Sequence, residues 1–169
     1  YNSDLKINTS LNKIEIINNN TENWQITLID TGHNTMTGGR IKRVEKFINN
    51  EKFFLTYGDG LSDINFIDLL NFHNKNNKSL TISAIQPEGK FGALNIDNSN
   101  NVLTFKEKPK GDGNWINGGF FVCQPEIFNY IDGDATIFER EPLERAANNG
   151  EMMAYKHYGF WKPMDTLRD

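Results

Sequence analysis

At 169 residues, with 37% hydrophobic and 24% charged residues, the chain is long enough for one domain with a real core. A formal net charge of −4 and a pI near 5.4 give no support to non-specific nucleic-acid binding. No apolar run approaches the ~20 residues of a membrane span, so no membrane role is expected.

In chain order, Lys13–Ile17 is a strand candidate rich in β-branched residues, and Trp24–Ile29 alternates apolar and polar positions as a second. The loop "DTGHNTMTGG" follows. Gly39–Ile48 then sets Ile41, Val44, Phe47 and Ile48 on one helical face. Phe53–Tyr57 is a short continuous apolar run, which predicts a strand buried on both faces. Ser62 or Asp63 can cap a helix running to about Asn74. Leu80–Ile85 is the next strand, and Gly92–Ile96 and Val102–Phe105 flank the turn "DNSNN" as a hairpin. Trp115–Cys123 is a strand interrupted by Gly118–Gly119. Pro125–Ile131 suits a short helix, Pro142 opens another that ends before Gly150, and Met152–Tyr158 is a last strand. Strands alternate with helices early and follow one another in the middle, which predicts an α/β protein with a mixed sheet.

Five stretches suggest chemistry, and each has an ordinary structural alternative. "TYGDG" ends an apolar strand on Asp59 between two glycines. In open α/β sheets ligands bind beyond the carboxyl ends of strands, and one exposed carboxylate there suits Mg²⁺; a plain β-to-α turn reads the same way. "TMTGGR" leads into a helix whose first amides and Arg40 could favour an anion, or it is a loop with a solvated arginine. "FKEKPKGDG" puts Lys106, Lys108 and Lys110 on one strand face, either to meet a phosphate or as a solvated lysine edge. In "NGGFF", two glycines inside a strand signal a bulge or close ligand approach, and Asn117 carries the donor and acceptor that a sugar hydroxyl requires. Asp165, in "GFWKPMDTLRD", is either the cap of a starting helix or a second metal carboxylate. His33, His73 and His157 form no spaced ligand set, so zinc is not expected. Cys123, the single cysteine, lies among Phe120, Phe121 and Val122 and reads as a small buried hydrophobe. The cytoplasm is the expected compartment.

The order of "DTG…MTGGR", "TYGDG", "FGAL", "FKEKPKGDG", "INGGFFV" and "GFWKPMDTLRD" resembles the glucose-1-phosphate cytidylyltransferases, a family of the bacterial sugar-nucleotide pyrophosphorylases. The resemblance runs from about Trp24 to the end of the chain, and "TYGDG" with "PMDTLRD" is its most specific part. It implies a Rossmann-like, glycosyltransferase-A-like nucleotidyltransferase fold: a mixed sheet flanked by helices. It implies nucleotidyl transfer from CTP to α-D-glucose 1-phosphate, giving CDP-glucose and pyrophosphate, with Mg²⁺ as cofactor. By matching the family's motifs, Asp59 and Asp165 would hold the metal, with no further catalytic residue assigned. Thr35, Arg40 and Gly58 would contact the nucleotide, and Gly92, Glu107, Lys108, Asn117 and Gly118 would hold the sugar phosphate. The family's opening glycine-rich loop has no counterpart here. Residues 1–169 are therefore expected to form a single nucleotidyltransferase domain, N-terminally truncated and incomplete at both ends, inactive alone and a homo-oligomer. The alternatives are a pyrophosphorylase for another sugar or base, and a non-catalytic module that binds a sugar phosphate or mediates assembly.

Overall fold

The computed structural model describes residues 5–17, 24–87, 93–106 and 114–167. Two compact units emerge, Tyr1–Asp30 and Thr31–Asp169. In the first, β1 (Leu5–Asn8) and β2 (Lys13–Ile16) form an antiparallel hairpin with Leu5 opposite Ile16 and Ile7 opposite Ile14. The expected strand Trp24–Ile29 does not form. Alternation supplies the side-chain pattern, but a strand also needs a neighbouring ladder for its amides. No described strand pairs with these residues, and Leu28 is 92% exposed.

The second unit is built on a mixed four-stranded sheet. Its order is β3 (Phe53–Thr56), β8 (Ile116–Cys123), β5 (Leu80–Ile85), β9 (Met152–His157); β3 and β5 run antiparallel to β8, while β9 is parallel to β5. The central strand alternates between two cores. Phe121 and Cys123 point into one with Leu80, Phe138 and Leu143, and Phe120 and Val122 point into the other with Ile64 and Leu69. Cys123 is fully buried as expected, and burial pushes its thiol pKa up. The strands buried on both faces are thus β5 and the second part of β8. The apolar run at β3 forms an edge of the described sheet instead, with Phe54 47% exposed.

Helix α1 (Thr37–Val44) continues as a tighter turn through Glu45–Phe47. Ile41 and Ile48 pack on the first core, which is also covered by the 3₁₀ segment Pro125–Tyr130 and by α3 (Glu141–Asn148). Helix α2 (Phe66–Asn76) covers the second core through Leu69 and Leu70. Its cap is Asn65, whose side chain accepts from the amides of Ile67 and Asp68, not Ser62 or Asp63. Those two residues are used elsewhere: Ser62 belongs to β4 (Gly60–Ser62), paired antiparallel with β10 (Trp161–Pro163), and Asp63 Oδ1 faces His157 Nε2 at 2.9 Å. The expected hairpin is present as β6 (Ala93–Ile96) and β7 (Val102–Lys106), its turn organised by Asp97 accepting from the amides of Ser99 and Asn101. Among the described residues, no helix is long and apolar enough to cross a membrane.

Candidate active site

Three segments converge around the strand end at Tyr57–Gly58–Asp59. The first is the β4–β10 pair. Trp161 lies opposite Ser62 and Pro163 opposite Gly60, and the register continues one step further, with Met164 N–H donating to the Asp59 carbonyl at 2.8 Å. Asp165 is the next residue. Two carboxylates more than a hundred positions apart in sequence therefore sit on neighbouring backbones, both exposed. A helix capped by Asp165 would run beyond the described residues, which end at 167. The position of Asp165 follows from β10, which is anchored by Trp161 Nε1 donating to the Gly118 carbonyl at 2.7 Å. Among the described residues no third His, Cys, Asp or Glu joins a cluster of metal ligands.

The second segment is the glycine pair in β8. The pairing of β5 with β8 slips between Ile82 and Ala84, so the expected bulge is present. Its shape is set by packing. A Cβ on Gly118 would lie 2.6 Å from Ser83 Oγ, and Gly119 has φ +79°, a left-handed conformation that L side chains rarely adopt. The amides freed by the bulge are satisfied locally: Asn117 Oδ1 accepts from Gly119 N–H at 2.8 Å, and the buried Ser83 hydroxyl accepts from Phe120 N–H at 3.2 Å. Gly118 is thus glycine because Ser83 and Ile85 crowd it. Gly58 differs, since a Cβ there would meet nothing within 4 Å.

The third segment is the start of α1. The amides of Met36, Gly38 and Gly39 donate to the carbonyls of Asp134 and Thr136 at 2.9, 2.9 and 3.3 Å. The expected anion cradle of helix-start amides is therefore not available from these three groups; the two glycines bring the helix against the 134–136 backbone instead. Thr35 is buried behind them. Arg40 is exposed but held, reaching back to Thr31 Oγ1 at 2.8 Å and to the His33 carbonyl at 3.2 Å.

A hydrogen-bonded chain joins these segments. Tyr57 Oη donates to Glu139 Oε1 at 2.7 Å, and Thr37 Oγ1 donates to Glu139 Oε2 at 2.7 Å while accepting from Phe138 N–H at 2.9 Å. Asn117 Nδ2 donates to Tyr57 Oη at 3.3 Å. Burial and the Glu139 hydrogen bond raise the Tyr57 pKa well above the ordinary phenol value. Tyr57, Glu139, Thr37 and Trp161 are absent from the sequence-derived set. Tyr57 could have been suspected beside Gly58–Asp59; Glu139 carries no local signal, because its partner is 82 residues away. Gly92, Glu107 and Lys108 lie outside the described residues.

Residues 7–164 match the family model described as nucleotidyl transferase. The chain belongs to the nucleotidyl transferase family. The chain is 48% identical over 168 residues to glucose-1-phosphate cytidylyltransferase of Salmonella typhi, covering 99% of this chain and 65% of that protein. The protein of the same description from Salmonella typhimurium strain LT2 gives the same identity and coverage. This nucleotidyl transferase chain thus spans 65% of the length of these relatives. Among solved structures, HddC from Yersinia pseudotuberculosis superposes with a TM-score of 0.59 at 24% identity, over 80% of this chain and 60% of that one, and so shares the fold. The α/β reading with a mixed sheet and flanking helices is that of the nucleotidyl transferases.

Proposed function

We propose that the chain is part of a Mg²⁺-dependent glucose-1-phosphate cytidylyltransferase, which converts CTP and α-D-glucose 1-phosphate into CDP-glucose and pyrophosphate. The observation that carries this reading is the pairing of β4 with β10. Its last hydrogen bond, from Met164 to Asp59, leaves Asp165 beside the Gly58–Asp59 strand end, in a chain similar over nearly its whole length to cytidylyltransferases.

In this reading a phosphate oxygen of the sugar 1-phosphate attacks the α-phosphorus of CTP in line, and pyrophosphate leaves from the opposite side. Such a transfer depends on positioning and charge neutralisation more than on covalent help from the protein. Asp59 and Asp165 would hold the metal. Two exposed carboxylates on adjacent backbones fit Mg²⁺, which takes one or two protein carboxylates and completes its shell with water and phosphate oxygens. When bound, Mg²⁺ neutralises the phosphate oxygens around the reacting phosphorus. Gly58 would let the nucleotide approach the backbone; its open surroundings support this, since a Cβ there would meet nothing within 4 Å among the described residues. Arg40, already braced on Thr31 and His33, would supply fixed positive charge, and Thr35 would shape the same loop. Asn117 and Gly118 would face the sugar phosphate together with Gly92, Glu107 and Lys108. A homo-oligomer in the cytoplasm completes the proposal.

The test is pyrophosphate release from CTP, glucose 1-phosphate and Mg²⁺ by the longest protein the gene encodes, alongside a panel of other nucleoside triphosphates and sugar 1-phosphates. CTP-selective, Asp59-dependent turnover is expected. Turnover with another pair alone would replace the substrate assignment, and none with any pair would overturn the reading. Sedimentation of the same material reads the oligomeric state.

A further inference from the structure

The Glu139 carboxylate lies at a junction that its sequence position does not suggest. Each of its oxygens accepts one hydroxyl at 2.7 Å: Tyr57 Oη at the end of β3 and Thr37 Oγ1 in the first turn of α1. Because Tyr57 spends its proton on Glu139, its oxygen is left as an acceptor, and Asn117 Nδ2 fills that place at 3.3 Å. The other end of the Asn117 amide is fixed as well, since Oδ1 accepts from Gly119 N–H at 2.8 Å. Both ends of the amide are therefore assigned. The carbonyl oxygen is turned to the bulge, where Gly119 N–H takes one of its two lone pairs, and one N–H goes to Tyr57; among the described residues the second N–H is left for a ligand.

The geometry points to Glu139 as a positioning residue that, through Tyr57, presents Asn117 to the ligand as a hydrogen-bond donor. The group that meets this remaining N–H is then an acceptor, a sugar hydroxyl oxygen or a phosphate oxygen. An Asn free to rotate would offer either character; this one is set before the ligand arrives, which removes the cost of ordering it on binding. The inference rests on the assignment of Asn117 to the sugar-phosphate side. Tyr57 is well suited to carry the coupling, because its backbone N–H also donates to the Gly119 carbonyl at 3.3 Å and its ring packs against Gly119 and, edge-on, against Phe121.

The test combines kinetics with a readout that does not need turnover. In Glu139→Gln one of the two hydroxyls must reverse; in Tyr57→Phe the ring packing is kept and the bridge removed. Each variant should raise KM for glucose 1-phosphate roughly 10-fold, the effect of losing one hydrogen bond to a charged group. KM for CTP should stay within about twofold, because Thr37 retains its bond from Phe138 N–H. The double variant should be no worse than either single one, as for two members of one chain of contacts. In ¹⁵N-labelled protein, the Asn117 side-chain amide signals, assigned by their loss in Asn117→Asp, should move in both single variants. Unmoved signals, or single-variant losses that multiply in the double variant, would overturn the role of Glu139. If Glu139→Gln fails to fold, Glu139→Asp carries the same test, because it keeps the charge and the Tyr57 hydroxyl while drawing the carboxylate back from both hydroxyls. A wild-type protein without turnover would remove the cytidylyltransferase reading, and the Asn117 signals would still decide for or against Glu139.

Discussion

Gly58 and Gly118 flank the same site, yet among the described residues packing demands only one of them. A Cβ on Gly118 would press on Ser83 Oγ, Ile85 and the Ser83 carbonyl, at the bulge in the β5–β8 pairing. Gly118→Ala is expected to lower stability by about 1–3 kcal/mol, the usual cost of forcing atoms into a packed interior. A Cβ on Gly58 would enter open space, and its backbone is outside the left-handed region. Gly58→Ala should leave stability unchanged to within about 1 kcal/mol and yet weaken CTP binding, because the added methyl stands where the nucleotide would approach. Urea midpoints and CTP calorimetry on the two variants separate these effects; normal CTP affinity in Gly58→Ala would remove Gly58 from the nucleotide site. Asp165→Asn belongs to the same scale. It keeps the side chain's shape while removing a charge, so it should raise the Mg²⁺ concentration needed for half-maximal activity at least tenfold, a loss of roughly 1.4 kcal/mol or more in metal binding. A magnesium titration of the variant reads it directly, and an unchanged requirement would return Asp165 to a structural role.

Among the elements, β10 is three residues long and is held by its pairing with β4 and by the Trp161 side chain. Trp161 packs on the second core and donates its indole N–H to the Gly118 carbonyl at 2.7 Å, tying the strand that precedes Asp165 to the bulge that carries Asn117. Trp161→Phe keeps much of the apolar contact and loses the bond. It should cost about 1 kcal/mol of stability and lower activity further than that loss predicts, since Asp165 would no longer be held beside Asp59. Comparing melting temperature with magnesium-dependent turnover checks this. The same elements show what periodicity and turn chemistry could and could not reveal. Long or strongly patterned segments such as α2, β5, β8 and β9 were legible, because their side-chain spacing already records which face is buried. β4 was not: Gly60–Ser62 has no pattern of its own and becomes a strand only because β10 returns beside it from 100 residues away. The edge position of β3 was hidden for a related reason, since an apolar run records composition and not the number of neighbouring strands. The carboxylates at 59 and 165 stood out through their glycine and proline settings, whereas Glu139 sits in an ordinary helical approach and acquires its place only when α1 and β3 meet over it.

At the scale of the whole second unit, α2 is tied to the sheet by a neutral buried histidine. His73, on α2, is fully buried. Gln124 Nε2 donates to its Nε2 at 3.0 Å, which leaves the ring's own proton on Nδ1, facing Thr81 Oγ1 of β5 at 2.9 Å. The ring thus satisfies both of its nitrogens without a charge and binds the helix to the strand and to the chain after β8. Burial first, and then the nearby Lys52, lower its pKa from the ordinary value of 6.5. A depressed pKa means that the unfolded chain takes up the proton more readily than the folded one. The stabilisation is therefore fully present above about pH 6.5 and is lost as pH falls through the lower folded-state value. Asp97, Asp134 and Glu151 have depressed carboxyl pKa values, so their contributions fade only under more acidic conditions. The urea midpoint should accordingly decline between pH 7.5 and pH 5 in the wild type. His73→Gln, which cannot titrate, should start lower, because the ring packing and the Thr81 contact are disturbed, but should decline less steeply over that interval. Parallel slopes in the two proteins would show that the acid sensitivity arises elsewhere than at His73.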